Sequence, residues 1–200
     1  IREIHHRVTN NLQTISSLLR LQGRRLRSDE AREALEESIR RIGAIAVVHE
    51  TLAQSDDGDV AFVDIVRPLV RVVEESVSSP LRPLTFEVDV TPWVVRGEAG
   101  TLERAVTNLL DNAAKWSPPG GTVRVTLVDG VLTVDDEGPG IAEQDLPHVF
   151  ERFYRSEESR AMPGSGLGLS IVAQAAERHA GRVHAERSPY GGARLVLALP

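Results

Sequence analysis

Residues 102–116 read LERAVTNLLDNAAKW and residues 123–140 read VRVTLVDGVLTVDDEGPG. The first run repeats its apolar residues in helical period. The second holds two alternating stretches, Val123 to Leu127 and Val131 to Asp135, on either side of Asp129-Gly130, a strong signal for a two-residue hairpin. Working outward, residues 63–77 form an amphipathic helical pattern, and LTFEVDV (residues 84–90) alternates like a strand. A last strand is expected at residues 195–199, after the Gly191-Gly192 turn. Helices interleaved with a sheet of mainly antiparallel character predict an α+β class with the architecture of an α/β sandwich.

Toward the N-terminus the pattern changes. Ile4, Val8, Leu12, Ile15 and Leu19 recur at steps of three and four, which predicts a helix to about residue 27 with one apolar seam. Ser28, Asp29 and Glu30 supply an N-cap and an acidic first turn, and Leu35, Ile39, Ile42, Ile45 and Val48 carry a second seam to about residue 53. Two such helices form an antiparallel hairpin, and each exposes more apolar stripe than one partner hides. Self-association of two hairpins into a four-helix bundle is the economical solution, so a homodimer is expected. The acidic, glycine-containing QSDDGD at residues 54–59 marks a hinge. The expected division is residues 1–55 for the hairpin, 56–62 for the linker and 63–200 for the second domain.

Composition narrows the chemistry. The absence of cysteine removes disulfides, thiol catalysis and Cys-based zinc sites, in keeping with a reducing compartment. Residues 1–55 hold nine arginines against seven acids, a net charge of +2, whereas the rest carries 14 basic residues against 22 acids, −8. Nucleic acid is therefore an unfavourable ligand for the acidic part. No apolar run approaches the roughly 20 residues that cross a bilayer, so no membrane segment is expected and the chain reads as cytoplasmic.

Four segments carry residues suited to binding a phosphorylated ligand. Asn108 and Asn112, four apart on one helix face, can offer two neutral oxygens to a hard cation. Lys115, the only lysine in the chain, sits on a neighbouring face of the same turn, next to Trp116. In DEGPGI, Asp136 ends a strand as a carboxylate able to read a donor edge, while Gly138 and Gly140 let backbone approach a flat ligand. VFERFYR (residues 149–155) places two aromatics in a charged run that ends in Arg155. In GSGLGL, Gly164, Gly166, Leu167 and Gly168 lead into a helix over residues 169–178, where backbone amides and a helix N-terminus can cradle phosphate. That run is no dinucleotide fingerprint, because it lacks the third glycine and the later acid.

In this order the four segments resemble the ATP-binding boxes of the GHKL superfamily, and specifically those of sensor histidine kinases. The resemblance implies a Bergerat-type ATP domain using ATP and Mg²⁺. Asn112 would be the Mg²⁺ ligand, Lys115 would reach a phosphate, and Trp116 stands where the family usually has tyrosine or phenylalanine beside the base. Asp136 would accept from the adenine amino group, and Arg155 would meet the γ-phosphate beside a mobile lid. Residues 1–25, IREIHHRVTNNLQTISSLLRLQGRR, resemble the dimerisation helix of the subfamily whose phosphoacceptor motif is His-Arg-x-Lys-Asn. Helical geometry chooses between the two adjacent histidines: His5 lies about 60° from the centre of the seam and His6 about 160°, so His6 faces solvent. Glu3 and Asn10 fall on the same side as His6.

The resemblance implies an ATP-dependent protein-histidine kinase that phosphorylates His6 and passes the phosphoryl group to an aspartate of a response-regulator receiver domain. Asn10 occupies the place where related kinases position a water for dephosphorylation, and Glu3 is the candidate general base. Thr9 stands where the subfamily has lysine, and Arg7 follows His6 where the commoner His-Glu kinases have an acid. The ATP domain resembles the His-Glu-Leu-Arg-Thr-Pro type instead, so the chain is expected to be a fusion joined near residues 54–63 and cut from a longer parent. The alternatives are an ATP-binding dimeric scaffold without transfer activity and another kind of GHKL ATPase.

Overall fold

The structure, a computed structural model, describes residues 58–79, 81–157 and 166–200. The chain divides into two compact units, Ile1–Asp57 and Gly58–Pro200, and the second holds all the described residues. The helical hairpin, the dimer seam, Glu3, His6, Asn10 and Gly164 lie outside the described residues.

The second unit opens with a short strand β1 (Asp59–Ala61) leading into helix α1 (Phe62–Val77). Strands β2 (Thr85–Val90) and β3 (Val94–Arg96) follow, then helix α2 (Ala99–Trp116). The hairpin of β4 (Thr122–Val128) and β5 (Val131–Asp135) comes next, and helix α3 (Gly168–Arg178), β6 (Arg182–Arg187) and β7 (Ala193–Ala198) close the unit. β1 and β3 pair as a small antiparallel sheet. The main sheet has the order β2-β4-β5-β7-β6, antiparallel except between β2 and β4.

Burial follows the periods of the sequence. α1 buries Phe62, Ile65, Val66, Leu69, Val70 and Val73, and α2 buries Leu102, Ala105, Val106, Leu109, Leu110, Ala113 and Ala114. α2 packs against both α1 and α3. Alternate residues of the central strands, Val123, Val125, Leu127, Leu132, Val134, Leu195 and Leu197, are almost wholly buried. The hairpin turn is as its dipeptide predicts: Asp129 (φ 49°) and Gly130 (φ 78°) both take the left-handed conformation that a primed two-residue turn requires. A Cβ at Gly130 would strike the Leu199 carbonyl and the Trp93 ring.

The other residues of the strands carry a row of alternating charge. Glu87, Arg124, Asp135, Arg194 and Glu186 stand side by side across all five strands of the main sheet. Arg124 pairs with Glu87 at 3.0 Å, Arg194 reaches both oxygens of Asp135, and Arg194 lies 3.7 Å from Glu186. Opposite charges directly across neighbouring strands stabilise register.

β1, β3 and β6 escape the sequence reading. The first two are only three residues long, too short for a period to show. β6, RVHAER, is an edge strand rich in charge, as an edge exposed to solvent should be. Among the described residues no helix is long and apolar enough to cross a membrane.

Candidate nucleotide site

The four segments meet, and their glycines show how closely. A Cβ on Gly168 would come 2.8 Å from Asn108 Oδ1, so the start of α3 lies against the asparagine face of α2. A Cβ on Gly138 would come 2.6 Å from the Trp116 carbonyl, which puts the loop after β5 against the last turn of α2. Gly166 (φ 72°) accepts a hydrogen bond from the Phe153 amide at 3.0 Å, and a Cβ there would press on Phe153 and Tyr154. Gly140 (φ 84°) lies beside Gly192. α2, the loop after β5, residues 149–155 and the beginning of α3 therefore border one region.

Asp136 follows directly on β5 and is buried, at 1% exposure. Its Oδ1 accepts from the backbone amides of Gly138 (2.8 Å) and Ala193 (3.0 Å). Both bonds fall on one oxygen, Oδ1. Burial pushes the carboxyl above its ordinary value, the two amides oppose that, and neighbouring Asp135 adds to it. Asp135 points the opposite way, accepting from Ser188 Oγ and Arg194. Alternation along the strand thus gives adjacent aspartates separate work: Asp135 ties β5 to β7, and Asp136 faces the loops.

Lys115 and Arg155 sit close enough for the arginine's charge to act on the lysine. Burial and that neighbouring charge, in this order, lower the Lys115 ammonium below its usual range. Two cations converging beside a helix end and a glycine loop suit a polyanion. Lys115 Nζ also lies 5.5 Å from the centre of the Trp116 ring. Asn108 Nδ2 donates to the Arg104 carbonyl at 2.6 Å, which turns its oxygen toward Gly168. Asn112, one turn on, is partly exposed. Two neutral amide oxygens near the glycine-rich start of α3 are a donor set that fits a hard divalent cation.

Residues 149–155 form successive turns. Phe153, at φ 65°, is 71% exposed, whereas Phe150 is half-buried. Tyr154 Oη donates to Asp145 at 2.6 Å, and the Tyr154 ring lies beside His148. Two residues invisible to motif reading brace the ends of α2. His179 ends α3, with Nδ1 bonded to the Ala175 carbonyl and Nε2 accepting from the Glu98 amide at the start of α2. Arg82, before β2, lies against the last turn of α2. Neither belongs to a sequence pattern, since their contacts with α2 span more than thirty residues of chain.

Comparison with known proteins agrees with this arrangement. The profile described as histidine kinase-, DNA gyrase B-, and HSP90-like ATPase matches residues 97–200, and one described as histidine kinase matches residues 3–77. The signal transduction histidine-protein kinase/phosphatase MprB of Mycobacterium avium is 49% identical over 151 residues, which is 73% of this chain and 27% of that protein. The chain thus spans about a quarter of the length of the curated relatives it matches. Among solved structures, the mycobacterial sensor histidine kinase MprB is 42% identical with a TM-score of 0.64, over 71% of this chain and 97% of that one. The ATP-binding domain of PrrB from Mycobacterium tuberculosis is 30% identical with a TM-score of 0.54, over 72% and 98%. With one profile covering the whole span of the four boxes and the solved chain of a sensor histidine kinase matched over 97% of that chain, the chain belongs to the histidine kinase-, DNA gyrase B- and HSP90-like ATPase family, as a sensor histidine kinase catalytic core.

Proposed function

We propose that the chain is the ATP-dependent protein-histidine kinase core of a two-component system, with Gly58–Pro200 binding ATP and residues 1–55 forming a dimeric hairpin that carries the phosphoacceptor His6. The observation that carries this reading is the Asp136 carboxylate, buried and held on one oxygen by two amides, at the start of the loop that lies against the last turn of α2. It would accept from the adenine amino group, with Trp116 beside the base and Gly138 and Gly140 allowing close approach. Lys115, Arg155 and the backbone amides of Gly164, Gly166, Leu167 and Gly168 would hold the phosphates. Asn112, with Asn108, would hold Mg²⁺, which when bound neutralises phosphate charge.

An unprotonated ring nitrogen of His6 would attack the γ-phosphorus in line as the bond to the β-bridging oxygen breaks and ADP leaves. Glu3 would take the proton from the imidazole. The phosphoryl group would then pass to an aspartate of a response-regulator receiver domain. Asn10 would position a water for the reverse, dephosphorylating activity, which the kinase/phosphatase name of the M. avium relative supports. No membrane-crossing helix occurs among the described residues, in keeping with a cytoplasmic core.

The test is incubation of the purified protein and of His6→Gln with γ-labelled ATP and Mg²⁺. Label that survives alkali, is lost in acid and is absent from His6→Gln is expected. ATP binding without any label would overturn the kinase reading in favour of an ATP-binding scaffold.

A further inference from the structure

The last four carbonyls of a helix have no partner within it, and a helix C-terminus carries partial negative charge. α2 ends at Trp116, and the Ala113 carbonyl is taken by the Ser117 amide. Two of the remaining acceptors, the Ala114 and Lys115 carbonyls, are met by one side chain from elsewhere, which also reaches the carbonyl of the C-cap residue Ser117. Arg82 Nη2 lies 2.8 Å from the Ala114 carbonyl, 3.2 Å from that of Lys115 and 3.1 Å from that of Ser117.

Arg82 is itself held. Its amide donates to the Ser79 carbonyl (3.0 Å) and lies 3.1 Å from Ser79 Oγ, while its carbonyl accepts from the Ser79 amide (3.1 Å). Next to it the Leu84 amide donates to Ser78 Oγ, and the Pro83 carbonyl accepts from Gly120. The guanidinium therefore projects from a braced turn onto the far side of the helix end that bears Lys115 and Trp116. On the near side, the Trp116 carbonyl is in contact with Gly138 of the loop after Asp136.

We infer that Arg82 is a positioning residue for nucleotide binding: by clamping the C-terminal turn of α2 it sets where Lys115 and Trp116 stand relative to Asp136. The inference rests on the nucleotide reading above. All three contacts fall on Nη2, at the end of arginine's long stem, whereas a lysine's ammonium, on a shorter stem, stops short of that position. Without the clamp the last turn frays, and the two residues assigned to phosphate and base lose their fixed separation from the carboxylate. Groups that orient a binding residue through hydrogen bonds are commonly worth about ten- to a hundredfold in binding or activity.

The two tryptophans of the chain permit a direct readout. Trp93 Nε1 is buried without a hydrogen-bond partner, so Trp93→Phe removes a tryptophan at no loss of a hydrogen bond and leaves Trp116 as the sole emitter. In that full-length parent, ATP with Mg²⁺ is titrated against Arg82→Gln, Arg82→Lys and the control Arg67→Gln. Arg67 also donates from Nη2 to a carbonyl, that of Val90 at 3.2 Å, so the control loses a comparable structural bond.

Arg82→Gln is expected to weaken ATP binding by about tenfold and to shrink the nucleotide-dependent change in Trp116 emission. Arg82→Lys should fall between it and the parent, and Arg67→Gln should leave both readouts unchanged even where it lowers the melting temperature. A folded Arg82→Gln that binds ATP within about twofold of the parent overturns the inference. Should the glutamine variant not fold, Arg82→Lys decides, and parent-like affinity there overturns it. A parent that binds no ATP sinks the nucleotide reading itself, and this inference with it.

Discussion

At the scale of single residues, two buried carboxyls behave differently. Asp136 keeps two amide donors on one oxygen. Asp136→Asn preserves an acceptor for those amides but presents an NH₂ group where a ligand amino group must be received. Its ATP affinity should drop roughly ten- to hundredfold with little change in melting temperature, as read by calorimetric titration. Glu103 lies on α2 at 9% exposure, and its Oε1 is buried without a hydrogen-bond partner. Burial raises its carboxyl from 4.5 to about 7, with Arg104 opposing. The folded state thus holds the proton more tightly than the unfolded chain. Stability from the neutral form is fully present below pH 4.5 and is lost as pH rises through about 7. The gap corresponds to about 3 kcal/mol. Urea denaturation between pH 5 and 8 should show this decline, and Glu103→Gln should flatten it.

At the scale of elements, the hairpin and the charge row hold the sheet that delivers Asp136. Gly130→Ala puts a Cβ into the Leu199 carbonyl and the Trp93 ring at a positive φ. A loss of more than about 1 kcal/mol is expected, larger than for an ordinary glycine-to-alanine change. Arg194→Leu strands Asp135, whose side chain is only 3% exposed, and should cost about 3–5 kcal/mol by chemical denaturation, since it leaves a buried charge unpaired. Because Asp135 joins β5 to β7 and the Ala193 amide bonds Asp136, this variant should also weaken ATP binding. In Arg124→Leu, whose partners Glu87 and Glu137 are far more exposed, the stability loss should be much smaller.

At the scale of the whole molecule, the two units make separable claims. If residues 1–55 form half of a four-helix bundle, the full chain should sediment as a dimer of two 21.8 kDa subunits. A fragment spanning Gly58–Pro200 should sediment as a monomer and bind ATP with unchanged affinity, because the four boxes and Asp136 all lie within it. A bundle-free fragment that still dimerises would place the association surface elsewhere. The proposal that two kinase subfamilies are fused near residues 54–63 makes a further claim, since the sequences resembled by each half should part there. One natural parent continuous through both halves would remove it.

Much of the second unit was legible before its structure, for a physical reason. Helical and alternating periods report which face is buried, so α1, α2, α3, β2, β4, β5 and β7 follow from apolar spacing, and Asp129-Gly130 specifies its own turn. The four motif segments were legible because asparagines one turn apart, a carboxylate at a strand end and a glycine loop are local patterns. Local pattern does not encode distance across the fold. That Asn108 faces Gly168, that Asp135 and Asp136 take different partners on opposite sides of the strand, and that Arg82 and His179 brace the two ends of α2 are all set by long-range packing. Each depends on a side chain meeting groups far away in sequence, where no period or motif leaves a trace. The chain by itself determined which elements form and which residues are chemically apt; tertiary structure alone decided which of them stand together.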